Sequence, residues 1–293
     1  MMRVFLTGGS GFVGRNTLEQ LGSQFEFFAP SHKELDLLDE NAVEKYLKSH
    51  PVDVVLHAAN WGGSRKETNF TGVVPYNLRA FFNITRCQKY FRRMIFLGSG
   101  AEYDKSRELV SVKESDFGHK IPKDDYGFYK FVCSQYIRKE SNIVNLRIFG
   151  LFGKYEDYEV RFISNAICKA LFDLPITIKQ NVYFDYVYIN DFVKIIRHFL
   201  LQEPKEKFYN IGSGKKIDLA SLAEMVKETS RKNLPIVINN LGLNKEYTCD
   251  NRLLTRDMAE LEFTEPKAAI GELYNWYEGI KDQLKKKNFL IDP

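Results

Sequence analysis

Several large classes of protein are excluded by what this sequence lacks. Its four cysteines, Cys87, Cys133, Cys168 and Cys249, stand far apart and form no paired spacing of the kind that marks a zinc site or a redox dithiol. Buried free thiols in a reducing compartment are the expectation. The five histidines, His32, His50, His57, His119 and His198, show no ligand spacing, so no metal is expected. No apolar run approaches the ~20 residues that span a bilayer. The apolar stretch at the N-terminus is too short for a secretory signal, and together these point to a cytoplasmic protein with no membrane partner. Charge of one sign is also scarce: 42 Lys and Arg against 38 Asp and Glu leave a net charge of +4. The basic residues are spread along the chain, so no nucleic acid is expected. There is no internal repeat, and Lys285-Lys286-Lys287 reads as a solvated helix end.

What is present is a chain of 293 residues, 44% of them hydrophobic, enough for a sizeable core in one large domain or two smaller ones. The first half alternates short apolar runs with helical patterns, the signature of βαβ units and a parallel sheet. Val4-Phe5-Leu6 precedes a glycine-rich turn and an amphipathic stretch with Val13, Leu18 and Leu21 on one face. Residues 25–29 read as a second strand, and Asp39 as the N-cap of a helix striped by Val43, Tyr46 and Leu47. Residues 52–59, 94–97 and 143–149 read as further buried strands, with helices at roughly 75–90 and 126–140. Beyond Gly150 the alternation breaks up and a second lobe begins, with helices near 162–172 and 219–229, while 184–201 reads as strand plus helix.

The turn Gly8-Gly9-Ser10-Gly11-Phe12-Val13-Gly14 sits directly between a strand and a helix. There Gly8 permits a tight turn, Gly11 lets the backbone approach a pyrophosphate, and Gly14 lets helix and strand pack closely. The helix N-terminus offers free N–H groups to phosphate. A P-loop is excluded, because Arg15-Asn16 follows where Lys-Ser or Lys-Thr is required. The fold expected is α/β: a Rossmann-type doubly wound parallel sheet over residues 1–151 plus about 184–203, with a smaller α/β substrate-binding lobe over about 152–183 plus 204–293. No acidic residue ends the second strand; Pro30, Ser31, His32 and Lys33 stand there instead. A cationic, hydrogen-bonding loop tolerates the 2′-phosphate of NADP, so NADP is the expected cofactor, with NAD the alternative.

Tyr126 and Lys130 lie four residues apart, on one face of a helix that follows Ser99 at a strand end. In an open α/β sheet chemistry gathers at the carboxyl ends of strands. An ammonium beside a phenol favours phenolate, so Lys130 is expected to tune Tyr126 as a general acid while Ser99 holds the substrate oxygen.

These residues give the chain its resemblance. It is similar to extended short-chain dehydrogenases/reductases of the NAD-dependent epimerase/dehydratase family, and within it to GDP-fucose synthase-type nucleotide-sugar reductases. Thr7 to Gly14, the adenine-side segment Glu34-Leu35-Asp36-Leu37-Leu38-Asp39, His57-Ala58-Ala59, Asn77, Ser99 before Tyr103, and Tyr126/Lys130 follow in family order. The resemblance implies cofactor contacts from Gly8, Gly11, Phe12, Val13, Ser31, His32, Lys33, Asp36, Leu37, His57, Ala58, Ala59 and Asn77, with Lys130 also holding the nicotinamide ribose. It implies a nucleotide-diphosphate sugar near Ala101, Glu102, Arg147, Gly150, Arg161 and Lys179. It also implies a homodimer built on the helices at 75–90 and 126–140. Gly150 stands where many members have asparagine, and Phe184 where an arginine often contacts phosphate. The resembling synthase keeps a cysteine two residues after its serine and a histidine at the start of the first lobe helix; here Ala101 and Arg161 occupy those places.

Reduction of a 4-keto-6-deoxy sugar without epimerisation is therefore the expected reaction. A 4-epimerase retaining NAD is the first alternative. Dehydration, which by resemblance needs an acidic pair right after the serine, meets Gly100 and Ala101 instead. A non-catalytic redox sensor or scaffold is the remaining reading, against which stands the joint presence of Ser99, Tyr126 and Lys130.

Overall fold

The structure is a computed structural model that describes residues 1–62 and 71–290. The chain opens with strand β1 (Arg3–Thr7), helix α1 (Phe12–Leu21), β2 (Glu26–Phe28), α2 (Glu40–Ser49), β3 (Val54–His57), α3 (Val73–Thr85) and β4 (Arg93–Ser99). Next come β5 (Leu109–Val112), α4 (Asp125–Ile137), β6 (Ile143–Ile148), β7 (Leu151–Phe152) and α5 (Phe162–Leu171). Then follow β8 (Ile176–Asn181), β9 (Tyr183–Asp185), β10 (Val187–Tyr188), α6 (Ile189–Leu201) and β11 (Phe208–Ile211). The last elements are β12 (Lys216–Asp218), α7 (Leu219–Ser230), β13 (Ile236–Leu243), β14 (Tyr247–Cys249), α8 (Arg252–Asp257) and α9 (Pro266–Gly279).

Six strands form one parallel sheet in the order β11-β6-β4-β3-β1-β2. Its two faces are covered separately, as the twofold alternation of side chains along a strand requires. Val4, Leu6, Leu56, Ile95 and Leu146 pack with α5, α6 and the lobe. Phe5, Val55, Met94 and Phe96 pack with α2, α3 and α4. The four cysteines are buried free thiols. Among the described residues no helix is long and apolar enough to cross a membrane.

The local signals act as their chemistry suggests. Asp39 accepts from the Ala42 N–H at 3.0 Å and starts α2; Asp124 accepts from the Gly127 N–H at 3.0 Å and starts α4. The helix expected at 75–90 begins earlier, at Val73, and yields at Arg86 to a separate turn over Gln88–Tyr90.

The expected partition between domains is corrected in three places. The segment that returns to the parallel sheet is α6 with β11, reaching Ile211. Phe184 stays in the lobe, because β9 pairs with β12 and β14 in a four-stranded sheet ordered β12-β9-β14-β5. β5, from the first half of the chain, also leaves for that sheet, with Leu109 opposite Tyr247. Residues 291–293, the end of the expected lobe, lie outside the described residues.

Candidate active site

The parallel sheet brings Thr7, His57 and Ser99 to one edge, where strand order reverses between β1 and β3. Such an edge is where open α/β sheets bind ligands. Gly8 has φ +73°, and a Cβ there would stand 2.8 Å from the Ala59 nitrogen. A Cβ on Gly14 would meet the Gly8 oxygen at 2.2 Å, so helix and strand are packed as tightly as glycine permits. Gly11, the N-cap of α1, supplies no side-chain cap, which leaves the first N–H groups to a ligand. Phe12 and Val13 flank this end half-buried. The loop fits a pyrophosphate.

His57 supports the loop around it. Its Nδ1 pairs with Thr7 Oγ1 at 2.7 Å, and the same hydroxyl accepts from the Ala59 N–H at 3.1 Å. Burial, aided by the Lys130 charge, holds the imidazole neutral, with its pKa down to about 3. Ala58 and Ala59 close over Gly8 by backbone. Asn77 is likewise spent on structure: its amide accepts from the Trp61 N–H at 2.9 Å and donates to Trp61 O at 2.8 Å and Val73 O at 2.7 Å. In the structure these bonds place Trp61 at the start of α3.

Ser31, His32, Lys33 and Asp36 are exposed along the adenine side, while Leu37 is buried. One feature of this loop escaped the sequence: Glu34 turns back so that its carboxylate accepts the Ser31 N–H at 2.7 Å. That bond holds the carboxyl below its usual range. The loop thus carries the carboxylates of Glu34 and Asp36 beside the ammonium of Lys33.

The catalytic candidates converge. Ser99 is 7% exposed at the end of β4, and its Oγ accepts the Ala101 N–H at 3.1 Å. Gly127 permits the start of α4 to press on this turn, since a Cβ there would stand 2.8 Å from Ala101 O. Tyr126 is thereby set beside Ser99. Burial raises the phenol above its ordinary pKa, opposed by hydrogen bonding to Ser99 and by the charge of Arg161. Lys130 lies one helical turn on, its Nζ donating to Leu97 O and standing 5.8 Å from the Tyr126 ring centre. Burial brings Lys130 down to about 8. The expected depression of the phenol by Lys130 alone is corrected: desolvation outweighs it, and Ser99 and Arg161 supply the opposing pull.

Among the implied substrate residues, Arg161 is exposed at the N-cap of α5 and acts on Tyr126. Ala101 is buried. Gly150 has no room for a side chain, because a Cβ would meet Asp185 O at 2.8 Å and the Tyr186 ring at 3.0 Å, which accounts for the missing asparagine. Lys179 stands apart, exposed on β8. Glu102 and Arg147 are corrected outright, since both side chains are fully buried and face each other at 2.7 Å. Glu102 also accepts from the Ser99 N–H at 3.0 Å and from Ser134 Oγ at 2.5 Å. Arg147 lies between the Phe117 and Phe208 rings at 4.3 Å from each. Buried as a pair, they hold the Ser99 backbone from within the core.

Tyr247 was missed by sequence reasoning. β14 carries it to the serine, with its hydroxyl so close to Gly100 that a Cβ there would stand 2.6 Å away. A cleft of about 710 Å³ lined by Arg92, Arg93, Arg138 and Lys207 contains none of these residues. It lies at the opposite edge of the sheet, where Arg93 caps α6 through Phe199 O at 2.7 Å.

The model of the NAD dependent epimerase/dehydratase family matches residues 4–212. A GDP-L-colitose synthase of Yersinia pseudotuberculosis is 28% identical over 172 residues, 54% of this chain and 56% of that one, so the chain spans about half of that relative's length. A dTDP-4-dehydro-6-deoxyglucose reductase of Escherichia coli is 27% identical over 263 residues, 76% of this chain and 80% of that one. A GDP-L-fucose synthetase from Naegleria fowleri bound to NADP shares the fold, with a TM-score of 0.84 at 15% identity over 97% of this chain and 95% of that one. With its parallel sheet, glycine turn and Ser99, Tyr126 and Lys130 in place, the chain belongs to the NAD dependent epimerase/dehydratase family.

Proposed function

We propose that this protein reduces the 4-keto group of a nucleotide-diphosphate 4-keto-6-deoxy sugar, using NADPH, without epimerising the neighbouring carbons. The observation that carries the reading is the convergence of Ser99, Tyr126 and Lys130 at the carboxyl edge of the sheet. The glycine turn at Gly8–Gly14 and the N-terminus of α1 would hold a nicotinamide dinucleotide, which would supply the hydride. Ser99 donates a hydrogen bond to the carbonyl oxygen, and Tyr126 gives that oxygen its phenolic proton as negative charge develops there. Lys130, buried and anchored at Leu97 O, keeps a positive charge beside the phenol that loses the proton.

The absence of an evident second base supports reduction without epimerisation. Ala101 cannot ionise, and the guanidinium of Arg161 does not give up a proton near neutral pH. Tyr158 packs its ring on Tyr277 and Phe289, and Glu159 accepts from Asn288 Nδ2 at 2.6 Å, so both turn toward the C-terminal helices. One relative is named a dTDP-4-dehydro-6-deoxyglucose reductase, which supports the reduction itself. The Glu34 carboxylate at Ser31 favours a second reading, a 4-epimerase with retained NAD.

The test is a cofactor-oxidation assay with NADPH and NADH against 4-keto-6-deoxy sugars carrying GDP, CDP, dTDP and UDP. Stoichiometric oxidation with at least one sugar is expected. Interconversion of 4-hydroxy sugars without consumption of added cofactor would replace the reductase reading with the epimerase one.

A further inference from the structure

Glu102 lies in the short turn after β4, where one bond would be enough to cap the turn. Ser99 Oγ accepts the Ala101 N–H at 3.1 Å and the Glu102 carboxylate accepts the Ser99 N–H at 3.0 Å, a reciprocal cap that an exposed glutamate could make as well. Here the side chain is fully buried and reaches further. Its second oxygen accepts from Ser134 Oγ at 2.5 Å and from Arg147 Nε at 2.7 Å. Asn145 Nδ2 donates to the carboxylate at 3.2 Å and to Ser134 Oγ at 2.6 Å. Gly98 lets the carboxylate lie against the strand, because a Cβ there would overlap both Glu102 and Asn145. A buried ion pair adds little net stability over apolar side chains of the same size, so what this arrangement supplies is position.

Ser134 stands on α4 at the same face as Tyr126 and Lys130, each one helical turn from the next. Lys130 ties that face to β4 through Leu97 O, and Ser134 ties it a second time, through Glu102 to the Ser99 N–H. Resting on the reductase reading above, we infer that Glu102 is a positioning residue, a clamp between β4 and α4 that holds the Ser99 hydroxyl and the Tyr126 phenol at the separation from which both reach one substrate oxygen. Neither Glu102 nor Ser134 is exposed to a ligand. A small slip of α4 along β4 would therefore leave substrate binding in place and misalign the proton donor.

Two double variants separate the clamp from the ion pair. Glu102→Gln/Arg147→Met and Glu102→Met/Arg147→Met both lose the pair and keep side chains of similar size, with the second substitution filling the space between the Phe117 and Phe208 rings. In the first, the new amide can accept the Ser99 N–H with its oxygen and donate to Ser134 Oγ with its nitrogen, so β4 and α4 stay bridged. In the second no bridge remains. The first should turn over ~10-fold or more faster than the second at nearly equal KM, the size of effect that follows from losing oriented hydrogen bonds behind the transition state. Ser134→Ala leaves the ion pair and the Ser99 bond whole and cuts only the tie to α4; turnover is expected to fall ~10-fold, again with KM nearly unchanged. In protein labelled with nitrogen-15 and without substrate, the Ser99 amide resonance should shift in Ser134→Ala. Equal turnover in the two double variants, unchanged turnover in Ser134→Ala, a loss carried by KM, or an unmoved resonance would each overturn the assignment; if the double variants do not fold, Ser134→Ala decides it. Failure of the unmutated protein to turn over any keto sugar would overturn the reductase reading instead, and the resonance then decides the clamp by itself.

Discussion

Each residue at the candidate site has a separable task, and each task has a measurable consequence. In the proposed reaction Tyr126 is the proton donor, and burial raises its phenol above the ordinary pKa. Tyr126→Phe is expected to leave cofactor binding nearly intact and to lower turnover ~10²-fold or more, the range for a lost general acid. A drop of less than threefold in steady-state assays would remove Tyr126 from the chemistry. Lys130, brought down to about 8 by burial, loses its charge as pH rises through that value. Catalytic efficiency should therefore decline on the alkaline side of about 8, whereas a pH profile flat to 10 would leave the ammonium with no role in turnover. In the loop after β2, Lys33 supplies positive charge, His32 a ring that hydrogen-bonds, and Glu34 and Asp36 negative charge. Isothermal titration is expected to show tighter binding of NADP(H) than of NAD(H), with the gap narrowed in His32→Ala/Lys33→Ala. Equal affinities in the unmutated protein would mean that Glu34 cancels its neighbours.

Elements differ in how openly the sequence announces them. The turn from β1 to α1, the cap at Asp39 and the four-residue spacing of Tyr126 and Lys130 are local, and local spacing sets which face a side chain takes. They were legible. The departure of β5 to pair with β14 was not, because Leu109 and Tyr247 are distant in sequence and nothing in an isolated apolar run names its partner. The same holds for Glu102 and Arg147. Standing next to catalytic positions they read as ligand contacts, yet the fold neutralises each with the other in the core. The segment between β7 and α5 hides another buried charge. Glu156 is hydrogen-bonded by Ser164, and burial raises it from 4.5 to about 8. Between those values the folded protein holds a proton that the unfolded chain releases, so this group's contribution is complete below 4.5 and is lost as pH rises through about 8. Glu156→Gln should flatten that decline. Urea denaturation at about pH 5 and about pH 9 measures it, and an unchanged difference between the two would show that Glu156 is not protonated in the folded state.

At the scale of the whole molecule, the parallel sheet presents the cofactor turn and the serine at one edge, while the lobe folds back through β5, β9 and β14 to close on that edge with Tyr247. The dimer implied by α3 and α4 would cover Tyr76 and Phe128, which are 42% and 38% exposed. Light scattering coupled to gel filtration should find twice the 34.1 kDa chain mass, and a monomer at all concentrations would remove that part of the proposal. The central claim concerns the proposed reaction: Tyr126 as proton donor beside Ser99, with no evident second base among the described residues. The most direct measurement is to run the reduction to completion in deuterated water and read the product's ring protons by NMR. The expected result is a C4 alcohol with full proton occupancy at C3 and C5. Deuterium at either carbon beyond the level of an enzyme-free control would reveal a base, and would contradict reduction without epimerisation.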